Sequence, residues 1–189
     1  MPQHTVAVLV GSLRAASWSR KTAEALATLA QDLRFVFVEI GDLAFYDEDL
    51  EKDDVPEPWS RFRNQIRSAD AVLLVTPEYN RSVPGVLKNA IDVGSRPYGK
   101  SVLAGKPAAI MSVSPGALGG FGANHHLRQM ATFLDMPMLQ QPEMYIGGAA
   151  KLLNGEGDFA DVKTRALFQR FADAFAAWIE RHQGASVRS

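Results

Sequence analysis

Apolar residues fall along this chain in two alternating kinds of segment. Short β-branched runs occupy 5–10, 34–40, 71–75 and 107–113, with a weaker one near 136–140. Runs of about four to eight apolar residues bounded by turn signals predict strands buried on both faces. Between them, helical spacing appears at about 18–33, 58–68, 84–93 and 123–134, and once more at about 159–181. That last segment sets Val162, Ala166, Phe168, Phe171, Phe175, Trp178 and Ile179 on one side. A stripe of this kind is read as core packing rather than a cofactor box.

Strands that alternate with helices and stay apolar along their length predict an α/β protein with a parallel sheet covered on both faces. About five strands in a chain of 189 residues favour a flavodoxin-like three-layer sandwich, strand order 2-1-3-4-5, over the larger six-strand dinucleotide fold. One domain over 1–183 is expected, followed by a frayed tail at 184–189. Ligands of such sheets bind beyond the carboxyl ends of the strands, where the strand order reverses. The loops after strands one, three and four are therefore the ones to search.

Composition narrows the chemistry. The chain has no cysteine, so no disulfide, thiolate metal site or Cys nucleophile is available. Its 20 Lys+Arg against 21 Asp+Glu lack the basic surplus of a nucleic-acid binder, so no nucleic-acid partner is expected. No apolar run approaches a membrane span, and residues 1–4 do not resemble a signal peptide. A soluble, cytoplasmic protein without a membrane partner is expected. The acidic stretch 39–57 lacks the spacing and central glycine of an EF-hand, and reads as a solvated connection. No metal site is expected.

The three loops carry the unusual residues. The first, 11–20, holds Ser12, Ser17, Ser19, Arg14 and Arg20 at the start of a helix, with Ser17 or Ser19 available as its cap. Free helix N–H groups with hydroxyl and guanidinium donors suit a phosphate. Neither the Walker pattern nor Gly-x-Gly-x-x-Gly is present there, which points to a monophosphate. The second, 76–85, is stiffened by Pro77 and Pro84, with Ser82 placed to cap the next helix; it presents Glu78, Tyr79 and Asn80. An aromatic beside an amide suits a flat heteroaromatic ring. The third, 112–122, has four glycines in the seven residues 116–122 and offers backbone donors at close range. Ser114-Pro115-Gly116 there, with His125 and His126 downstream, is a weak echo of a hydrolase nucleophile elbow. Ser112 replaces the first elbow glycine, and Pro115 lacks the oxyanion N–H. Together the loops describe a flavin mononucleotide (FMN) site.

Gly11-Ser12-Leu13-Arg14, residues 17–20, Pro77-Glu78-Tyr79-Asn80 and the run Ser82 to Asp92 resemble the NADPH-dependent FMN reductase family, in particular its bacterial quinone, azo-dye and chromate reductases. The likeness runs from strand one to about Gly148; Trp18 and Ser19 stand where members often carry Asn or Tyr. The resemblance implies FMN as cofactor and NADPH or NADH as electron donor. It implies phosphate contacts from Ser12, Arg14, Ser17, Ser19 and Arg20, and isoalloxazine contacts from Pro77, Glu78, Tyr79, Asn80, Ser114, Gly116 and Gly119. No catalytic side chain is implied, because the flavin carries the chemistry. It also implies a homodimer or homotetramer, with Arg128, Glu143 and the stretch 136–138 as candidate contacts or, for Arg128 and Glu143, an intrachain pair. The alternative is a flavodoxin-type electron-transfer protein, against which Arg14, Arg20 and the near-neutral charge argue.

Overall fold

The computed structural model describes residues 4–52, 54–155 and 157–186. Its elements run in the order β1 (His4–Val10), α1 (Trp18–Leu29), β2 (Leu33–Phe37), α2 (Glu57–Ser68), β3 (Ala71–Thr76), α3 (Gly85–Ser95), β4 (Ala108–Val113), α4 (Phe121–Phe133), β5 (Met144–Ile146) and α5 (Val162–Ser186). The five strands pair in parallel in the order β2-β1-β3-β4-β5, as the alternation predicts.

The strands are continuous apolar runs because each face meets helices. Val6, Val8 and Val10 of β1 and Leu73 and Val75 of β3 pack with Leu26 of α1 and Phe168, Phe171, Phe175 and Ile179 of α5. The alternate residues, Ala7, Leu9, Val72 and Leu74, meet Trp59, Phe62 and Ile66 of α2, Leu87 of α3 and Leu127 of α4. The aromatic stripe of α5 is thus core, but Val162 and Ala166 at its start are exposed, and burial begins at Phe168. The helix continues to Ser186, so 184–186 of the expected tail are helical; residues 187–189 lie outside the described residues.

The fifth strand is not where the apolar run suggests. Residues 137–139 make only a single bridge at the start of β4: Ala108 N–H donates to Pro137 O (2.9 Å) and Leu139 N–H to Ala108 O (2.7 Å). The ladder proper forms further on, with Met144, Tyr145 and Ile146 opposite Met111, Ser112 and Val113. Pro142, without an N–H, separates the two stretches. A three-residue strand is too short to show a period of two.

The acidic connection between β2 and α2 is anchored rather than loose. Arg61 forks onto the Asp42 carboxylate at 2.7 and 2.8 Å, holding that carboxyl below the usual range. Arg63 pairs with Glu51 and donates to Val93 O. Asn89 of α3 is buried; its Oδ1 accepts from Tyr46 N–H at 2.9 Å, and its Nδ2 donates to Leu43 O and Ala44 O at 3.1 and 3.0 Å. Asn89→Ala leaves groups of this segment unpaired, and urea unfolding is expected to show a loss of about 2–3 kcal/mol. Limited proteolysis of the variant is expected to cut within 42–51 first; an unchanged cleavage pattern with unchanged stability contradicts the latch.

Candidate functional site

The order β2-β1-β3 places the reversal of strand order between β1 and β3. Their ends are tied: Gly11 N–H continues the ladder to Val75 O at 2.8 Å, and a Cβ at Gly11 would lie 3.4 Å from the Pro77 ring. The loops after β1, β3 and β4 therefore rise side by side from neighbouring strands.

In the first loop the side chains divide into engaged and unengaged. Ser17, buried, is the N-cap of α1, its Oγ accepting from Arg20 N–H at 3.2 Å. Arg20 lies 5.0 Å over the Phe37 ring and 3.6 Å from Glu24. Ser12, Arg14 and Ser19 make no side-chain hydrogen bond or ion pair with the described residues, and neither do the backbone N–H groups of 12–16. Ser19 is only 2% exposed. Hydroxyl and guanidinium groups that no other part of the described chain engages, beside a helix N-terminus and a row of free N–H groups, fit a phosphate.

The second loop is a two-residue hairpin. Tyr79 and Ser82 exchange N–H···O bonds of 2.9 Å, with Asn80 at φ 51° and Arg81 at φ 63°. Two positive φ values define the turn whose twist suits a hairpin. Ser82 does not cap α3, whose N-cap is Pro84; its hydroxyl instead bonds His126 Nδ1 at 2.9 Å. The Glu78 side chain turns back from the loop tip. Its Oε2 accepts from Ala123 N–H of α4 at 3.1 Å, and Oε1 lies 3.3 Å from Arg81 Nη1.

In the third loop Ser114 Oγ accepts from Gly116 N–H at 3.1 Å. His125 bonds the Tyr145 hydroxyl (3.1 Å) and His126 bonds Ser82, so neither serves Ser114. Gly119 (φ 59°) is packed so tightly on β5 that a Cβ would lie 2.6 Å from the Tyr145 carbonyl carbon. At Gly116 the space is open, an added Cβ meeting only Ser114 Oγ at 3.5 Å. Of the two, Gly116 alone is left facing outward for a ligand. Beyond the loop, Phe121, His125 and Tyr145 form an aromatic cluster with Glu143 accepting from the Tyr145 hydroxyl at 2.8 Å. Arg128 bonds Asn124 Oδ1 and Leu139 O; it forms no ion pair with Glu143 among the described residues.

Leu13, Tyr79, Leu118 and Phe121, from all three loops, are each at least 50% exposed. An apolar rim of this kind around unspent polar donors is the surface a flat, partly charged ligand covers.

The family described as NADPH-dependent FMN reductase matches residues 4–151. The chain belongs to that family. It is 61% identical over 178 residues to a quinone reductase of Pseudomonas putida, covering 94% of this chain and 95% of the relative. A 2-hydroxy-1,4-benzoquinone reductase of a Burkholderia species is 48% identical over 175 residues, 92% and 95% of the two chains. Among solved structures, a flavoenzyme NAD(P)H:(acceptor) oxidoreductase from Paracoccus denitrificans superimposes with a TM-score of 0.90 at 44% identity, covering 95% of this chain and 98% of the other. Membership makes the protein an oxidoreductase of a family that works with FMN and NAD(P)H. It favours the reductase over the electron-carrier reading. No described helix is long and apolar enough to cross a membrane.

The two glycines of the third loop differ in what a side chain would cost. Gly119→Ala is expected to lose more than about 2 kcal/mol in urea unfolding, from positive φ and backbone collision, whereas Gly116→Ala stays within about 0.5 kcal/mol; equal costs would refute the distinction. Burial, and then the bond to Glu143, raise the Tyr145 phenol above its usual range. Its stabilising contribution is therefore complete below the unfolded value of about 10 and is lost as pH rises through the folded value. Tyr145→Phe is expected to show a smaller loss of stability between about pH 9 and about pH 11 than the parent chain.

Proposed function

We propose that the protein uses FMN to pass reducing equivalents from NADPH or NADH to quinones. Azo compounds, free flavin and metal oxyanions such as chromate are further acceptors of the same open site. The observation that carries the reading is the unspent donor set of the first loop, Ser12, Arg14, Ser19 and the amides of 12–16, beside a braced aromatic hairpin. The relatives named for quinone reduction support the acceptor class.

In this reading Ser12, Arg14 and Ser19 hold the phosphate, while Ser17 and Arg20 build the helix end that presents them. Pro77, Glu78, Tyr79 and Asn80 border the isoalloxazine largely through their backbone, with Ser114 and Gly116 on the opposite loop, while Gly119, packed on β5, holds that loop in place. When bound, FMN supplies the redox chemistry, accepting hydride from the nicotinamide and yielding it to the acceptor. Backbone N–H groups at the loop ends offset the negative charge that develops on reduction. The exposed apolar rim excludes water and accepts flat rings of several kinds, which makes acceptor choice loose. Self-association as a homodimer or homotetramer belongs to the same proposal. A groove of about 400 Å³ between α3 and α4, lined by Ile91, Met130, Phe133 and Leu134, is the apolar surface available for it. A cytoplasmic location fits the need for reduced nicotinamide.

Protein mixed with FMN is expected to bind it, bleach under anaerobic NADPH or NADH, and recover its yellow colour on addition of a benzoquinone. Bound FMN that neither nucleotide bleaches would defeat the reductase reading. Arg14→Ala is expected to weaken FMN about tenfold or more while leaving riboflavin affinity nearly unchanged, since a charge-assisted bond to phosphate is worth about 1.5–3 kcal/mol. Equal losses for the two flavins would remove Arg14 from the phosphate site.

A further inference from the structure

The third loop is so glycine-rich that it cannot cap the helix it introduces. The N-cap of α4 is Gly120, which has no side chain to offer the first turn. An uncapped helix start leaves backbone N–H groups without partners. Here the missing acceptor arrives from a different loop: Glu78 Oε2 takes the Ala123 N–H, 45 positions away in sequence. The Glu78 side chain is only 13% exposed, and a carboxylate suits the positive end of a helix.

The contact surface on α4 is shaped for this approach. A Cβ at Gly122 would stand 2.8 Å from the Arg81 carbonyl oxygen and 3.0 Å from Glu78 Oε2. Glycine at 122 therefore admits both the hairpin backbone and the capping carboxylate. One turn on, His126 Nδ1 bonds Ser82 Oγ at 2.9 Å, at the closing position of the hairpin. Meanwhile Arg81, next to Asn80, holds a left-handed conformation that a residue other than glycine, asparagine or aspartate keeps only when its surroundings impose it.

We propose that Glu78 is a positioning residue: its carboxylate caps α4 and so locks the 77–82 hairpin and the glycine-rich loop into one rigid unit. Its side chain acts on the site through the helix, not by touching the ligand. The hairpin is then preorganised before anything binds, and the two loops cannot shift independently.

Two conservative substitutions separate this role from an electrostatic one. Glu78→Gln keeps the reach and an acceptor oxygen but loses the charge; Glu78→Asp keeps the charge but withdraws the oxygen from Ala123. In flavin-free protein, amide hydrogen exchange at Tyr79, Ser82 and Ala123 is expected to quicken about tenfold in Glu78→Asp and in Gly122→Ala, and no more than about threefold in Glu78→Gln. FMN affinity is expected to follow the same order. The double variant Glu78→Asp/Gly122→Ala should bind FMN no more weakly than the poorer single variant, because both break one contact. An Asp variant that matches the parent in exchange and affinity, with the Gln variant impaired, overturns the proposal. Losses that add in the double variant overturn it as well. The affinity arm rests on the FMN reading, and the exchange arm does not: a parent chain that binds no FMN fails that reading alone, while exchange still decides the role of Glu78.

Discussion

Burial of β1 and β3 on both faces is the constraint on which the site depends. Val6 to Val10 and Ala71 to Thr76 are covered above and below by helices, so no ligand can reach either face of the central sheet. Chemistry is confined to the strand ends. The ladder bond from Gly11 to Val75 carries that order one residue past β1 and sets the heights of the first two loops against each other. The loop beyond each strand is then free to be polar, because its position is already fixed by the apolar pairing beneath it.

The same constraint explains which parts of the fold are legible in the sequence. Strands buried on both faces must be apolar without interruption, so β1, β3 and β4 stand out, and with them the loops they lead into. The weak cases have physical reasons. The run at 136–140 looks like a strand because Met136 and Leu139 are apolar, and both are buried, yet Pro137 within it and Pro142 just beyond it limit what the segment can donate, and pairing settles on 144–146 instead. The division of labour in the first loop is invisible in sequence as well: Ser17 and Ser19 are the same residue type two positions apart, and only the start of α1 distinguishes a spent cap from a free hydroxyl.

Contacts between loops are the least legible part. A glutamate in a loop with tyrosine and asparagine invites a reading as a ligand contact, since nothing nearby in sequence needs its carboxylate. The need arises at Gly120, in a segment where Gly119 serves close packing against Tyr145 and Gly122 admits the hairpin. Sequence spacing of 45 residues separates the two ends of that bond. Arg81 gives no hint either, because arginine has no preference for the left-handed conformation it adopts.

The brevity of β5 has a consequence for how the molecule behaves among its own copies. As the last strand of the sheet it exposes an unpaired backbone edge, the kind of surface onto which another chain can add a strand. Here that edge is three residues long, entered just past Pro142 and left through Gly147 and Gly148. So few free donors and acceptors cannot hold a foreign strand in register. At this side the sheet stops growing at its own boundary, which leaves β2, five residues long at the opposite side, as the longer of its two edges.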